Sequence, residues 1–154
     1  MQYQGKKLRH ELKYYIHYHE YHVLRQRLRA LMKKDRHSVG EEGYHIRSLY
    51  FDDLNDTALY EKNYGIYRRK KYRIRIYNLS DSLIKLERKN RFGEHINKES
   101  AAMSRVEYDQ IMRGDVEFMK GSSHFLIEQF YQGFIHHALQ PRVIVDYVRE
   151  AYVM

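Results

Sequence analysis

Tyr72-Arg73-Ile74-Arg75-Ile76-Tyr77, with Ile84-Lys85-Leu86-Glu87-Arg88-Lys89 shortly after it, is the stretch on which the fold turns. Charged and apolar residues alternate through both runs. Side chains on a strand point to opposite faces in turn, so residues two apart share a face. Arg73, Arg75 and Tyr77 then lie on one side of the first strand, and Tyr72, Ile74 and Ile76 on the other. The second strand aligns Lys85, Glu87, Lys89 and Arg91 in the same way. Working outward, the same parity groups Glu11, Lys13 and Tyr15 near the start, and Val143, Val145, Tyr147 and Arg149 near the end. A charged face on one strand is ordinarily a solvated face. Four strands that share it, with Glu11 and Glu87 interleaved among the cations, point instead to the inner wall of a polar-lined barrel.

Between these strands the chain carries helix signals. Tyr21, Leu24, Leu28 and Leu31 fall on one face of a helix expected over about Tyr18 to Lys34. Gly40 and Gly43 mark a loop before a strand at about Tyr44 to Asp52, and Asn55-Asp56 opens a short helix to about Asn63. The two long strands, about Arg69 to Asn78 and Ser82 to Arg91, are joined by Leu79-Ser80-Asp81, and Phe92-Gly93-Glu94 turns into a strand at His95 to Glu99. Ser104 and Glu107 form a capping box for a helix to about Met112. Leu126, Phe130, Phe134 and Ala138 stripe a last helix, about His124 to Leu139, before Pro141 stops it. Strands are expected at Glu11 to Ile16 and at Val143 to Val153. The fold class that follows is α+β, a largely antiparallel and tunnel-like β-barrel with helices packed outside.

Length and composition narrow the function. The 154 residues suffice for one core and read as a single domain. A formal charge of +8 favours an acidic partner: nucleic acid, anionic lipid or a phosphorylated small molecule. Absence of cysteine excludes disulfide scaffolds and thiolate metal sites, and fits a reducing cytoplasm. No secretory signal or membrane-spanning apolar run is evident. The 10 histidines include His17-x-His19 and His136-His137, but no H-E-x-x-H motif accompanies them, and they read as surface residues flanking helices. Asp52 and Asp53 suit either a metal or the end of a strand. Arginine binds phosphate through a permanently charged fork, and lysine adds a point charge. A row of both on converging strands can hold successive phosphates, and carboxylates among them make sense with a divalent cation.

At these residues the chain resembles the VTC domain, the polyphosphate-polymerase branch of the triphosphate tunnel metalloenzymes. The matching segments are Arg9-His10-Glu11-Leu12-Lys13-Tyr14, Ile46-Arg47-Ser48-Leu49-Tyr50-Phe51-Asp52, Arg69 through Tyr77, Leu86-Glu87-Arg88-Lys89 and Pro141 through Tyr152. The resemblance implies a tunnel that binds polyphosphate, inorganic triphosphate or ATP with Mn²⁺ or Mg²⁺. It implies transfer of the ATP γ-phosphate to a growing chain, a phosphotransferase reaction governed by position and charge. Lys13, Arg73, Arg75, Lys89 and Arg149 match basic tunnel positions, as does Lys98; Glu87 and Glu11 match wall carboxylates and are the metal-ligand candidates. No catalytic nucleophile is required and none is nominated. Arg9 stands where hydrolytic relatives carry the first Glu of E-x-E-x-K, which favours the polymerase branch. Family members continue with further strands beyond the Tyr147/Arg149 strand, so the expectation is a domain that lacks its C-terminal part. A membrane-associated partner protein is implied as well. Two other readings remain: an inactive polyphosphate- or phosphate-sensing module, and a nucleic-acid binder, against which the interleaved carboxylates count. The last strand, as an open edge, invites a homodimer.

Overall fold

A computed structural model describes residues 2–3, 6–36, 38 and 40–154. The elements run β1 (Gln2–Tyr3), β2 (Lys6–Lys7), β3 (Arg9–His10), α1 (Tyr18–Leu31), β4 (Lys33–Lys34), β5 (Tyr44–Asp52) and α2 (Thr57–Asn63). They continue with β6 (Arg68–Tyr77), β7 (Ser80–Phe92), β8 (His95–Met103), α3 (Arg105–Met112), a 3-10 turn (Glu117–Met119), α4 (Phe125–His137), β9 (Gln140–Arg149) and β10 (Tyr152–Val153). Among the described residues the main sheet has the order β3-β8-β7-β6-β5-β9, antiparallel throughout.

Parity divides this sheet as the alternation requires. One face carries Phe51, Tyr72, Ile74, Ile84, Leu86, Ala101 and Met103, which form the core with Ile111, Met119, Leu126 and Phe130 from the helical side. Phe130, fully buried, sets its ring 5.0 Å from Phe51, 5.3 Å from Tyr72 and 5.0 Å from Phe134. The pairs with Phe51 and Phe134 are edge-to-face, an arrangement that adds to what burial alone contributes.

The turns follow local chemistry. Asn78 and Leu79 both take positive φ, 52° and 56°, which a two-residue type I′ hairpin needs. Asn78 accepts from the His45 amide through Oδ1 and donates its own amide to the His45 carbonyl, which ties the turn to β5. The Ser104–Glu107 capping box is formed in both directions, at 3.2 and 2.6 Å. Gly43 has φ +92°, and a Cβ there would sit 2.2 Å from the Arg149 carbonyl oxygen, so no other residue fits.

Several expectations change. β3 covers only Arg9–His10, and residues 11–17 form no strand. Glu11 is held instead by an ion pair with Lys89, while Tyr14 and Tyr15 project into solvent. The closed barrel is therefore absent among the described residues. β3 and β9 are the two edges of an open sheet, and β3 is too short to bridge to the other side. The final strand is divided: β9 ends at Arg149, and β10 leaves the sheet to pair with β4. Along β9, Val143, Ile144 and Val148 are exposed. No helix among the described residues is long and apolar enough to cross a membrane.

Helix α1 ends at Leu31, short of Lys34, and has no buried residue, so the Tyr21–Leu31 stripe does not enter the core. Polar contacts hold it. Glu150 accepts from the Tyr21 hydroxyl at 2.6 Å, the Arg25 guanidinium at 2.7 Å and the Tyr152 hydroxyl at 2.7 Å. Burial would raise the Glu150 pKa, but Tyr21, Tyr152 and Arg25 outweigh it and hold it down at about 2.

Two outcomes are expected. Phe130→Ala should lower unfolding stability by about 3–5 kcal/mol in urea titration, the range for truncating a buried aromatic. Glu150 has a folded-state pKa below the ordinary 4.5, so its contribution is complete above that value and drains away as pH falls toward 2. Glu150→Gln should therefore flatten the loss of thermal midpoint between about pH 6 and about pH 3 relative to the unmodified protein.

Candidate functional site

The second face of the sheet is cationic. The register stacks its side chains in rows across β5, β6, β7 and β8. One row is Ser48, Arg75 and Lys85; the next is Tyr50, Arg73, Glu87 and Ser100; the next is Lys71, Lys89 and Lys98; the last is Arg69, Arg91 and Ile96. The face runs on through β9, which presents Val143 and Val145 beside Tyr50 and Ser48.

Glu87 lies at its centre with a side chain 1% exposed. Its Oε2 receives Arg73 at 2.6 Å and Arg75 at 3.7 Å, and its Oε1 receives Lys98 at 2.9 Å. Burial would raise the Glu87 pKa, yet Arg73 first and then Lys98 keep it below the ordinary carboxylate value. Arg73 also donates to the Tyr50 hydroxyl at 2.9 Å, and Arg75 donates to Ser48 Oγ at 3.0 Å and the Tyr147 hydroxyl at 3.3 Å. Tyr50 thus belongs to the charged face alongside Tyr77 and Tyr147. The β5 alternation, with Ser48 and Tyr50 opposite in parity to Leu49 and Phe51, carries that signal.

Beyond Glu87 the face opens into a groove of about 710 Å³. It is lined by Lys13, Arg73 and Lys89 from the expected set, with Tyr50, Val143 and Val145 along one side. Arg75 and Lys98 join through Glu87. Arg149 does not: it is exposed and sits opposite Tyr44, two rows beyond Ser48 and away from the groove. Lys13 is exposed at the rim, 3.8 Å from Glu11. The groove also gathers Lys62, Arg69, Lys71, Arg91 and Arg142, which are not among the residues expected from the sequence. Arg69 and Lys71 share parity with Arg73, and Arg91 with Lys89, so periodicity contains them. Lys62 comes from α2, whose path over the sheet end no strand pattern reveals.

The path of α2 has a local cause. Asp52 accepts the amides of Ala58 at 2.9 Å and Leu59 at 3.0 Å, and Asp53 accepts those of Asn55 and Thr57, both at 3.0 Å. Arg142 grips the same loop through the Asp53 and Leu54 carbonyls and an ion pair to Asp56 at 3.1 Å. Asp52, Asp53 and Arg142 are accordingly structural. Another cavity, of about 550 Å³, opens on the helical face beside Arg88, Glu99 and Phe125. Its lining mixes Arg68, Arg69, Lys70 and Arg88 with Asp52, Asp53, Glu61 and Glu99, and Arg88 is engaged by Glu99 at 2.7 Å, so acidic and basic groups balance there as they do not in the groove.

A divalent cation needs several oxygen donors converging on one point. Both Glu87 oxygens are taken by cations, and Glu11 faces Lys89 and Lys13. No cluster of three or more His, Asp or Glu among the described residues could hold an ion. These side chains, as arranged, do not fit a resident metal.

An open antiparallel sheet, with one face packed under helices and the other bearing a cationic groove around a buried carboxylate, defines an α+β protein with a surface for negative charge. The VTC domain model matches residues 8–154, almost the whole length, and the chain belongs to that family. No curated protein matches it.

Removing the central charge tests the cluster. Glu87→Gln leaves three cations without their shared counter-ion, and stability should fall by about 3–5 kcal/mol in urea titration. The folded pKa of Glu87 is depressed, so its contribution is present above the ordinary carboxylate pKa and lost as pH falls below it. The variant should lose less stability than the unmodified protein on acidification.

Proposed function

We propose that the cationic face binds a linear chain of linked phosphates, with polyphosphate, inorganic triphosphate and ATP as ligands. The observation that carries this reading is the imbalance at Glu87: one buried carboxylate shared by Arg73, Arg75 and Lys98, within a face that continues as further cations. Glu87 holds the Arg73 guanidinium in place before any ligand arrives, so less side-chain freedom is lost on binding. Arg73 can then offer a fork to phosphate oxygens, Lys89 and Lys98 can add point charges alongside, and Lys13 can reach in from the rim. Membership of the VTC family suggests a polyphosphate-related function and so supports the same ligand class.

The reaction is a finer matter. Phosphoryl transfer from ATP to a growing chain needs two phosphate groups aligned and the developing charge neutralised. The cations supply charge and position, but the carboxylates do not form a metal seat, so no step is routed through a metal. That observation favours the second reading, a binding or sensing module. Incubation with ATP and Mn²⁺ or Mg²⁺ separates the two: new polyphosphate establishes a transferase, and tight binding with no product over hours establishes the module.

Titration calorimetry with tripolyphosphate should show binding that weakens as salt rises. Arg73→Gln should weaken it by about tenfold or more, the value of a charge-assisted hydrogen bond. Duplex DNA that binds more tightly than tripolyphosphate and resists its competition would sink the proposal in favour of nucleic acid.

A further inference from the structure

The groove is not uniformly compensated. Around Glu87 the cations Arg73, Arg75 and Lys98 share that carboxylate, and Lys89 pairs with Glu11. Toward the start of β6 this stops. Arg69 lies directly across from Arg91, and Lys71 directly across from Lys89. Like charges opposite one another in a sheet are destabilising, and sheets ordinarily avoid them. Here two such pairs stand in adjacent rows on the same face.

Of these four side chains, only Lys89 has an ion-pair partner among the described residues, Glu11. Arg69 donates only to the Ile66 carbonyl and Arg91 to that of Gly93, neutral acceptors in the flanking turns. No ion pair involves Arg69, Lys71 or Arg91 among the described residues. Asp52, whose oxygens also take the amides at the start of α2, favours the charged form of Lys71, and Glu61 does the same for Arg69, but neither forms an ion pair with them. Burial and crowding by cations register in proton affinity. Lys71 holds its proton less firmly than usual because of burial and then Lys62; Arg69 does so because of burial and then Arg91. All of these side chains line the same groove as Arg73 and Lys89.

We propose that Arg69, Lys71 and Arg91 form a second anion subsite, distinct from the Glu87 cluster, that holds the distal phosphates of a chain anchored at Arg73 and Lys98. The inference rests on the phosphate-chain reading above and deepens it. Arg73 to Arg69 is four residues along β6, roughly 13 Å at the usual rise per residue. Pyrophosphate is too short to engage both ends, whereas a chain of many phosphates spans the groove. The structure thus selects for chain length. The first subsite is pre-set by its carboxylate, and the second is left positive for a polyanion to neutralise.

Affinity for pyrophosphate, tripolyphosphate and a much longer polyphosphate would be measured on the unmodified chain and on Lys71→Gln and Arg91→Gln. Long polyphosphate should bind the unmodified protein more tightly than pyrophosphate by more than the added number of equivalent positions explains. Each substitution should weaken long-chain binding by about tenfold, lower its salt slope by about one, and leave pyrophosphate binding within about twofold. Because each removes a like-charge repulsion, thermal midpoints without ligand should stay level or rise; a purely structural role would lower them. An equal loss for pyrophosphate and long chains, or no loss for long chains, overturns the second subsite. Absence of binding by every phosphate ligand to the unmodified protein would instead remove the parent reading.

Discussion

The buried carboxylate of Glu87 is the contact on which the charged face depends. A lone ionised carboxylate in that position would be costly to desolvate, and so would guanidinium groups packed beside it. Together they are tolerable because Arg73, Arg75 and Lys98 satisfy both oxygens at once. Their geometry is tightened by neutral hydroxyls: Tyr50 on Arg73, and Ser48 and Tyr147 on Arg75. Side chains from β5, β6, β7, β8 and β9 thus meet at one point on the sheet. Loss of that point would release cations into a face that already has too many.

This arrangement reshapes what the interleaved carboxylates signify. In the sequence, Glu11 and Glu87 among basic residues suggest metal ligation. In the fold Glu87 is surrounded by cations from β6 and β8, and Glu11 faces Lys89 and Lys13, so the oxygens of both are occupied. Asp52 and Asp53 have likewise given their oxygens to backbone amides, which fixes α2 at the end of the groove. The acidic groups in the groove therefore organise positive charge rather than collect an ion. A surface prepared in this way suits a ligand that brings many negative charges in a row.

Much of this was legible in the sequence because strand parity is a rigid rule. Tyr72, Ile74 and Ile76 against Arg73 and Arg75 assigned both faces of β6, and Leu86 against Glu87 did so for β7. The Ser104–Glu107 cap and the α4 stripe were equally plain. Contacts between distant segments were less accessible. The stripe on α1 satisfied the helical period, yet the helix is held by Glu150, more than a hundred residues away, through polar atoms that periodicity does not weigh. Glu11 belonged to an expected strand, but pairing needs an aligned neighbour, and β8 offers β3 only Arg9 and His10 partners. Arg149 has the parity of the groove face yet lies two rows beyond Ser48, because parity assigns a face and says nothing of position along it.

The β6–β7 hairpin brings one consequence for how such a protein can change over generations. The same ten-residue strand supplies the core on even positions and the groove on odd ones. Substitutions can retune one face while sparing the other. A single-residue insertion or deletion cannot, because it would drive arginines beneath Phe130 and deliver isoleucines to the groove. Heritable variation in length is thereby confined to the loops, such as the stretch before Gly43, while the hairpin itself can vary only in spelling.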